Sequence, residues 1–128
     1  MIIVDTSAII AIDLREPNHA SLFARIVSRT PRFMPATAMV EATMVLSRLH
    51  KDPKAVLDRY ISSMSMSLVP IDAEIVAAAQ DAFLRFGKGR HPARLNLCDC
   101  FSYAVAKVMN APLLFVGNDF AQTDIAAL

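Results

Sequence analysis

Two short apolar runs near opposite ends of the chain each lead into an acid, with stretches of helical spacing between them. Met1-Ile2-Ile3-Val4 closes on Asp5, and Leu113-Leu114-Phe115-Val116 reaches Asp119 through Gly117-Asn118. Runs this short and this uniformly apolar suit strands covered on both faces. Strands that alternate with helices pack as a parallel sheet with helices on its two sides. In such sheets ligands bind beyond the C-terminal strand ends, which share one edge. Asp5 and Asp119 would both stand on that edge.

The strands expected from the pattern are residues 2–4, 32–34, 67–71 and 113–116, with residues 125–128 as a fifth, short edge. Residues 32–34 read as an edge strand at best. Helices fill the intervals. The first carries Ile9, Ile10 and Ile12 and stops near Glu16-Pro17, and the second, residues 19–28, turns Leu22, Phe23, Ile26 and Val27 inward. The third runs from Pro35 or Ala36 to about His50 with a stripe of Val40, Met44, Val45 and Leu49. Ala42 and Leu46 widen that stripe, which predicts burial on more than one side. Asp52-Pro53 opens a fourth helix with Val56, Leu57, Tyr60 and Ile61 inward. Asp72 caps a fifth, bearing Ile75, Val76, Ala79, Phe83 and Phe86 and ended by Gly87. The sixth carries Asp99 and ends at Asn110-Ala111-Pro112. The expected fold is α/β: a three-layer α/β/α sandwich around a parallel sheet of four to five short strands, one domain over residues 1–128.

Composition narrows the class. Hydrophobic residues make up 55% of the chain and mean hydropathy is +0.41, against about 45–50% apolar in ordinary soluble domains. No apolar run approaches the ~18 residues of a membrane span, so the surplus points to a buried oligomer or partner surface. The chain enters Ile2-Ile3-Val4-Asp5 without a basic segment or cleavage-site pattern, so no signal peptide is expected. Cys98 and Cys100 are the only cysteines and point to different sides of a helix. A reduced, cytoplasmic protein with no membrane partner follows. The net charge of +1 is uninformative, but Arg85, Lys88, Arg90, His91 and Arg94 form a stretch without an acid. It reads either as a phosphate-binding segment, through Lys88, Arg90, His91 and Arg94, or as a solvated connector.

The acids Asp5, Glu41, Asp99 and Asp119 all flank apolar segments that should pack in the core. Each has an ordinary explanation: a strand end for Asp5, a capping box with Asn96 for Asp99, a turn for Asp119, an exposed helix edge for Glu41. Among the chain's 12 Asp and Glu residues the others do not share this placement. Asp72 is an N-cap, Glu16 and Asp52 adjoin prolines, and Asp13, Asp58, Glu74 and Asp81 fit solvated faces, with Asp124 just beyond the cluster. Two carboxylates ~4 Å apart repel by roughly 4 kcal/mol at an effective dielectric near 20, so their convergence calls for a cation. Hard oxygen donors suit Mg²⁺ or Mn²⁺. Asp5 and Asp99 are the expected direct ligands, with Glu41 and Asp119 holding metal waters or a second ion, and water as the nucleophile. Thr6, Ser7 and Asn118 are supporting donors, and helix capping is the alternative role for Thr6 and Ser7.

Other chemistries lack their parts. The only glycines are Gly87, Gly89 and Gly117, so no glycine-rich nucleotide fingerprint or phosphate loop follows the first strand. An aspartyl phosphatase wants a second acid two residues after Asp5, where Ser7 stands. His19, His50 and His91 lack zinc spacing, and no serine or cysteine nucleophile has a base partner in view.

With these residues in hand, the chain resembles PIN-domain ribonucleases, specifically VapC-type toxins of type II toxin–antitoxin pairs, over nearly its full length. The resemblance is carried by Asp5-Thr6-Ser7-Ala8, by Glu41 in its helix, by residues 87–96 leading to Asp99-Cys100, and by residues 115–120 with Thr123-Asp124. It implies cleavage of RNA phosphodiesters with Mg²⁺ or Mn²⁺, catalysis by Asp5, Glu41, Asp99 and Asp119, a homodimer, and inhibition by a VapB-like antitoxin. Cys98 stands where this branch more often has glycine, and Asn118 where an acid is frequent. Those departures motivate the alternative, a catalytically weak PIN-fold binding module whose main role is partner association.

Overall fold

A computed structural model describes residues 1–128, and the alternation of short strands and helices is the observed architecture. The elements are β1 (Ile2–Val4), α1 (Thr6–Asp13), α2 (His19–Val27), β2 (Arg32–Pro35), α3 (Ala36–Leu46), α4 (Pro53–Ser63), β3 (Met66–Val69), α5 (Ala73–Phe86), α6 (Leu97–Val108) and β4 (Leu113–Leu114). The four strands form one parallel sheet in the order β3-β2-β1-β4. From β1 the chain builds outward first through β2 and β3, then crosses to β4 on the other side. The strand order therefore reverses at β1, and the C-terminal ends of β1 and β4 bound the crevice where open sheets bind ligands.

Alternation along β1 divides the core. Ile2 and Val4 join a cluster with Ile9, Leu22, Ile26, Ala42, Leu46 and Leu57, drawn from α1 to α4. Ile3 points the other way, to Ile75, Ala79, Phe86, Tyr103 and Val105 of α5 and α6. The sheet is thus covered on both faces, which is why its central strand reads as uniformly apolar. No helix is long and apolar enough to cross a membrane.

Several expectations need correction. β2 is an interior strand, paired with both β1 and β3. β3 starts at Met66 and stops at Val69, because Pro70 has no N–H to continue the ladder. β4 is two residues long, since the Val116 N–H donates to Ser7 Oγ. The expected fifth strand is one bridge, Leu113 to Ala127. In α3 the period was right and the phase wrong: Val40 and Met44 are 63% and 64% exposed, while Ala38, Ala42 and Leu46 are buried. Phe23, Val27, Val76 and Phe83 likewise face outward. Small side chains let neighbouring helices approach closely, so the alanine rows form the packed faces.

Asp13 is not on a solvated face. Its side chain is 8% exposed and accepts from Tyr60 OH at 2.7 Å and from the His50 ring at 2.8 Å, tying α1 to α4. Burial, and then the bonded carboxylate, push the Tyr60 phenol up to about 12. Arg32 performs a similar closure in β2. Its guanidinium donates to the carbonyls of Ile26 at 2.9 Å, Val27 at 2.7 Å and Met64 at 2.9 Å, so the C-terminal ends of α2 and α4 meet on one planar group of β2.

Charge-assisted hydrogen bonds contribute ~1.5–3 kcal/mol each, with strong non-additivity when one group makes several. Arg32→Leu is expected to lower unfolding free energy by about 3 kcal/mol in urea titrations. Arg32→Lys should recover only a minor part, because an ammonium cannot reproduce the fork.

Candidate active site

Asp5 closes β1 and serves as the N-cap of α1, with its side chain accepting from the Ser7 N–H. Neither Thr6 nor Ser7 is the cap. The Asp5 carboxylate is almost fully buried. Its Oδ2 accepts from Ser7 N at 3.0 Å and Ser7 Oγ at 2.7 Å, and its Oδ1 accepts from Ser102 Oγ of α6 at 2.7 Å. Ser7 Oγ in turn accepts the Val116 N–H at 3.0 Å. The expected supporting role fits Ser7. Thr6 points elsewhere: its hydroxyl donates to the Ala38 carbonyl at 2.9 Å and sews the Asp5 turn to the first turn of α3.

Asp99 occupies the third position of α6 and forms a capping box with Asn96. Its Oδ2 accepts from Asn96 N at 3.0 Å, while Asn96 Oδ1 accepts from Asp99 N at 2.9 Å. The box leaves Oδ1 of Asp99 without a partner. Burial pushes the Asp99 carboxyl up to about 6, against the Asn96 hydrogen bond, with further upward pressure from the charges of Asp5, Glu41 and Asp119 in that order. The acids from β1, α3, α6 and the turn after β4 therefore share one field. Asp119 begins the 3-10 turn Phe120–Gln122 without a side-chain cap bond, and Asn118 is exposed.

Glu41 is half-buried in the second turn of α3 and has a neighbour that sequence reasoning did not place there. That neighbour is Cys98, whose thiol lies in the field of Glu41. Burial pushes that thiol up to about 11, followed by the charge of Glu41 and the charges of Asp99 and Asp5. Asp124 lies outside the cluster. Its carboxylate accepts from Tyr103 OH, Lys107 Nζ at 3.1 Å and Arg85 at 3.4 Å. The Tyr103 bond first, then Lys107 and Arg85, hold it down at about 2 against the opposing effect of burial.

The basic connector is a formed loop. Lys88 N–H donates to the Leu95 carbonyl at 3.0 Å, and Arg90 Nε donates to the Leu84 carbonyl at 3.2 Å. At Gly87 a Cβ would lie 2.4 Å from the Phe83 ring. His91 is not solvent-facing: its ring packs edge-on against Phe86 and its Nδ1 accepts from Ala93 N at 3.0 Å. Lys88, Arg90 and Arg94 remain exposed and make no ion pair.

Residues 2–126 match the PIN domain. The chain belongs to the PIN-domain family. Its curated relatives include a Ribonuclease VapC of Mycolicibacterium smegmatis, 42% identical over 127 residues, covering 98% of each chain. Ribonuclease VapC36 of Mycobacterium tuberculosis is 44% identical over 126 residues, 96% of this chain and 90% of that one. Within the family the chain thus sits with the VapC ribonucleases. The fold matches VapC20 of M. tuberculosis, described as a sarcin-ricin loop cleaving toxin, at TM-score 0.76 and 18% identity over 100% of this chain and 98% of that one. VapBC2 from Rickettsia felis, bound to a promoter DNA fragment, matches at TM-score 0.76 and 12% identity with the same coverage.

The donor set of this PIN domain suits a hard cation. Asp5, Glu41 and Asp119 gather around Asp99, whose ionisation is disfavoured by burial and by their charges. No three of the acid, histidine and cysteine side chains stand at common ligand spacing. Two partners escaped the sequence reading. Ser102 follows Asp99 by one helical turn, an i, i+3 relation that places both on one face. Cys98 adjoins Asp99, and only the fold brings Glu41 to it.

An acid raised in the folded state destabilises that state once ionised. The penalty is full above about pH 6 and gone below about pH 3.8. In metal-free protein Asp99→Asn, which keeps an acceptor for Asn96 N–H, should raise unfolding free energy near pH 7.5. A shift of about two units sets an upper limit of ~3 kcal/mol, and partial exposure reduces it to roughly 1–2 kcal/mol. The gain should vanish near pH 4, as followed by denaturant titration at both pH values.

Proposed function

We propose that this chain is an endoribonuclease dependent on Mg²⁺ or Mn²⁺, the toxin of a toxin–antitoxin pair acting in the cytoplasm. The observation that carries this reading is the Asp99 carboxyl, raised by burial and by Asp5, Glu41 and Asp119, in a chain 42% identical to a VapC ribonuclease along its length. Asp5 and Asp99, each with an oxygen not saturated by donors, are the proposed direct ligands. Glu41 and Asp119 take hydrogen bonds from water and orient it toward the scissile phosphorus. A divalent cation, when bound, lowers the pKa of water and offsets the charge that builds on the phosphoryl oxygens. Lys88, Arg90 and Arg94, on the loop that runs into Asp99, hold the flanking RNA phosphates.

A VapB-like antitoxin is the proposed inhibitor. Its support is the relatives' names and the solved toxin–antitoxin assemblies of the same fold, among them VapBC-1 from Haemophilus influenzae at TM-score 0.76 and 17% identity over 100% of this chain and 97% of that one. A homodimer is proposed for the outer faces of α3, α5 and α6. A groove of about 490 Å³ between α5 and α6 is lined by Val76, Phe83, Leu84, Leu97 and Phe101, and Leu97 is 74% exposed. Exposed apolar ground of this kind marks association surfaces.

A second reading, a catalytically weak binding module, draws on Cys98, a thiol in the field of Glu41 where related chains more often have glycine.

RNA cleavage with Mn²⁺ should stop on adding EDTA and fall by on the order of 10²-fold or more in Asp5→Asn, Asp99→Asn or Glu41→Gln. Activity that survives chelation would overturn the metal mechanism. Cys98→Ala separates the two readings: a large gain in cleavage supports thiol attenuation, and an unchanged rate removes it. Leu84→Glu combined with Met44→Glu should convert a dimer to monomer in sedimentation experiments.

A further inference from the structure

The donors on Asp5 are unevenly divided between its two oxygens. Oδ2 accepts twice from Ser7, through N at 3.0 Å and Oγ at 2.7 Å, whereas Oδ1 accepts once, from Ser102 Oγ at 2.7 Å. An ionised carboxylate offers about four lone-pair positions. Oδ2 is therefore filled and Oδ1 keeps one place. The carboxylate plane is also fixed, because its clasps come from separate elements and neither clasp is loose. Ser102 is fully buried in α6, and Ser7 Oγ is itself pinned by the Val116 N–H at 3.0 Å.

We propose that Ser102 is a positioning residue that holds the Asp5 carboxylate in the plane where Ser7 saturates Oδ2, so that Asp5 ligates through Oδ1 alone and the site selects small octahedral cations over Ca²⁺. The inference rests on the metal-dependent reading above. Ca²⁺ takes about six to eight oxygens and readily accepts both oxygens of one carboxylate. Mg²⁺ demands near-ideal octahedral placement with one oxygen per ligand. A carboxylate with one oxygen saturated and its plane held serves the second ion and rejects the first. Ser102 also lies one turn after Asp99 on α6, so the same helix supplies one acid and orients the other. A bland alternative is that Ser102 merely solvates a buried charge. That role would weaken every cation alike.

The ratio of Mn²⁺ to Ca²⁺ affinity, from calorimetric titration of the full chain, tells these apart. In Ser102→Ala the ratio should fall about tenfold, the low end of what loss of an outer contact costs a metal site. Ser102→Cys has nearly the same volume and a weak donor, so it should show the same fall and carries the test if the alanine variant does not fold. Ser7→Ala, which frees one of the two places on Oδ2 and leaves the N–H of residue 7 on the other, should strengthen Ca²⁺ binding. An unchanged ratio in the Ser102 variants, beside normal Mn²⁺ binding by the wild type, overturns this proposal alone. A wild-type chain that binds neither cation overturns the metal-dependent reading and this proposal with it.

Discussion

The buried Asp5 carboxylate is the contact on which sheet, helices and site jointly depend. Burying an ionised group costs several kcal/mol unless donors surround it, and here the donors come from different parts of the fold. The Ser7 N–H makes Asp5 the cap of α1. Ser102 brings in α6 across |i−j|=97. Through the Ser7 hydroxyl the contact reaches the Val116 N–H and so ends the β4 ladder. Thr6, next in sequence, fastens α3 by the Ala38 carbonyl. Three elements are thus indexed to one side chain at the point where strand order reverses, with α3 fastened beside it through Thr6, and Glu41, Asp99 and Asp119 lie on those elements or just beyond them.

Acids elsewhere in the chain show what this arrangement omits. Asp13 is answered by Tyr60 and His50, and Asp124 by Tyr103, Lys107 and Arg85. Both are closures that hold distant segments together. Within the cup no arginine or lysine answers Asp99, whose ionisation is opposed by burial and by its neighbours. A cluster left without cationic side chains stores unfavourable energy that a fold keeps only at sites with another use for it. The rest of the structure offsets the strain through contacts such as the three carbonyls gathered by Arg32.

The features legible in the sequence were the local ones. The β1 run, the Asp72 cap and the Asn96–Asp99 box are set by residues within a few positions of one another, and each is present. What escaped depended on partners far along the chain. Asp13 meets Tyr60 across |i−j|=47, and nothing near Asp13 distinguishes it from a solvated acid. Helix phase failed for a different reason. In α3 the larger apolar residues pointed to one face, whereas close packing favoured the alanines. Hydrophobicity weighs each side chain separately, but contact between helices rewards the pair that comes nearest.

The exposed faces also account for the high hydropathy of the chain. Its apolar surplus does not enlarge the core: Val40, Met44, Val76, Phe83, Leu84 and Leu97 are all on the surface of α3, α5 and α6. Two of those helices carry Glu41 and Asp99, and Cys98 of α6 lies in the field of Glu41 of α3. Glu41 and Asp99 ride on helices whose outer sides lack protein neighbours. A shift of α3 against α6 would change the spacing of those two acids, and Ser102 would carry it to Asp5. Whatever covers that apolar ground therefore presses on the same helices that set the cup, and association and site geometry are mechanically linked.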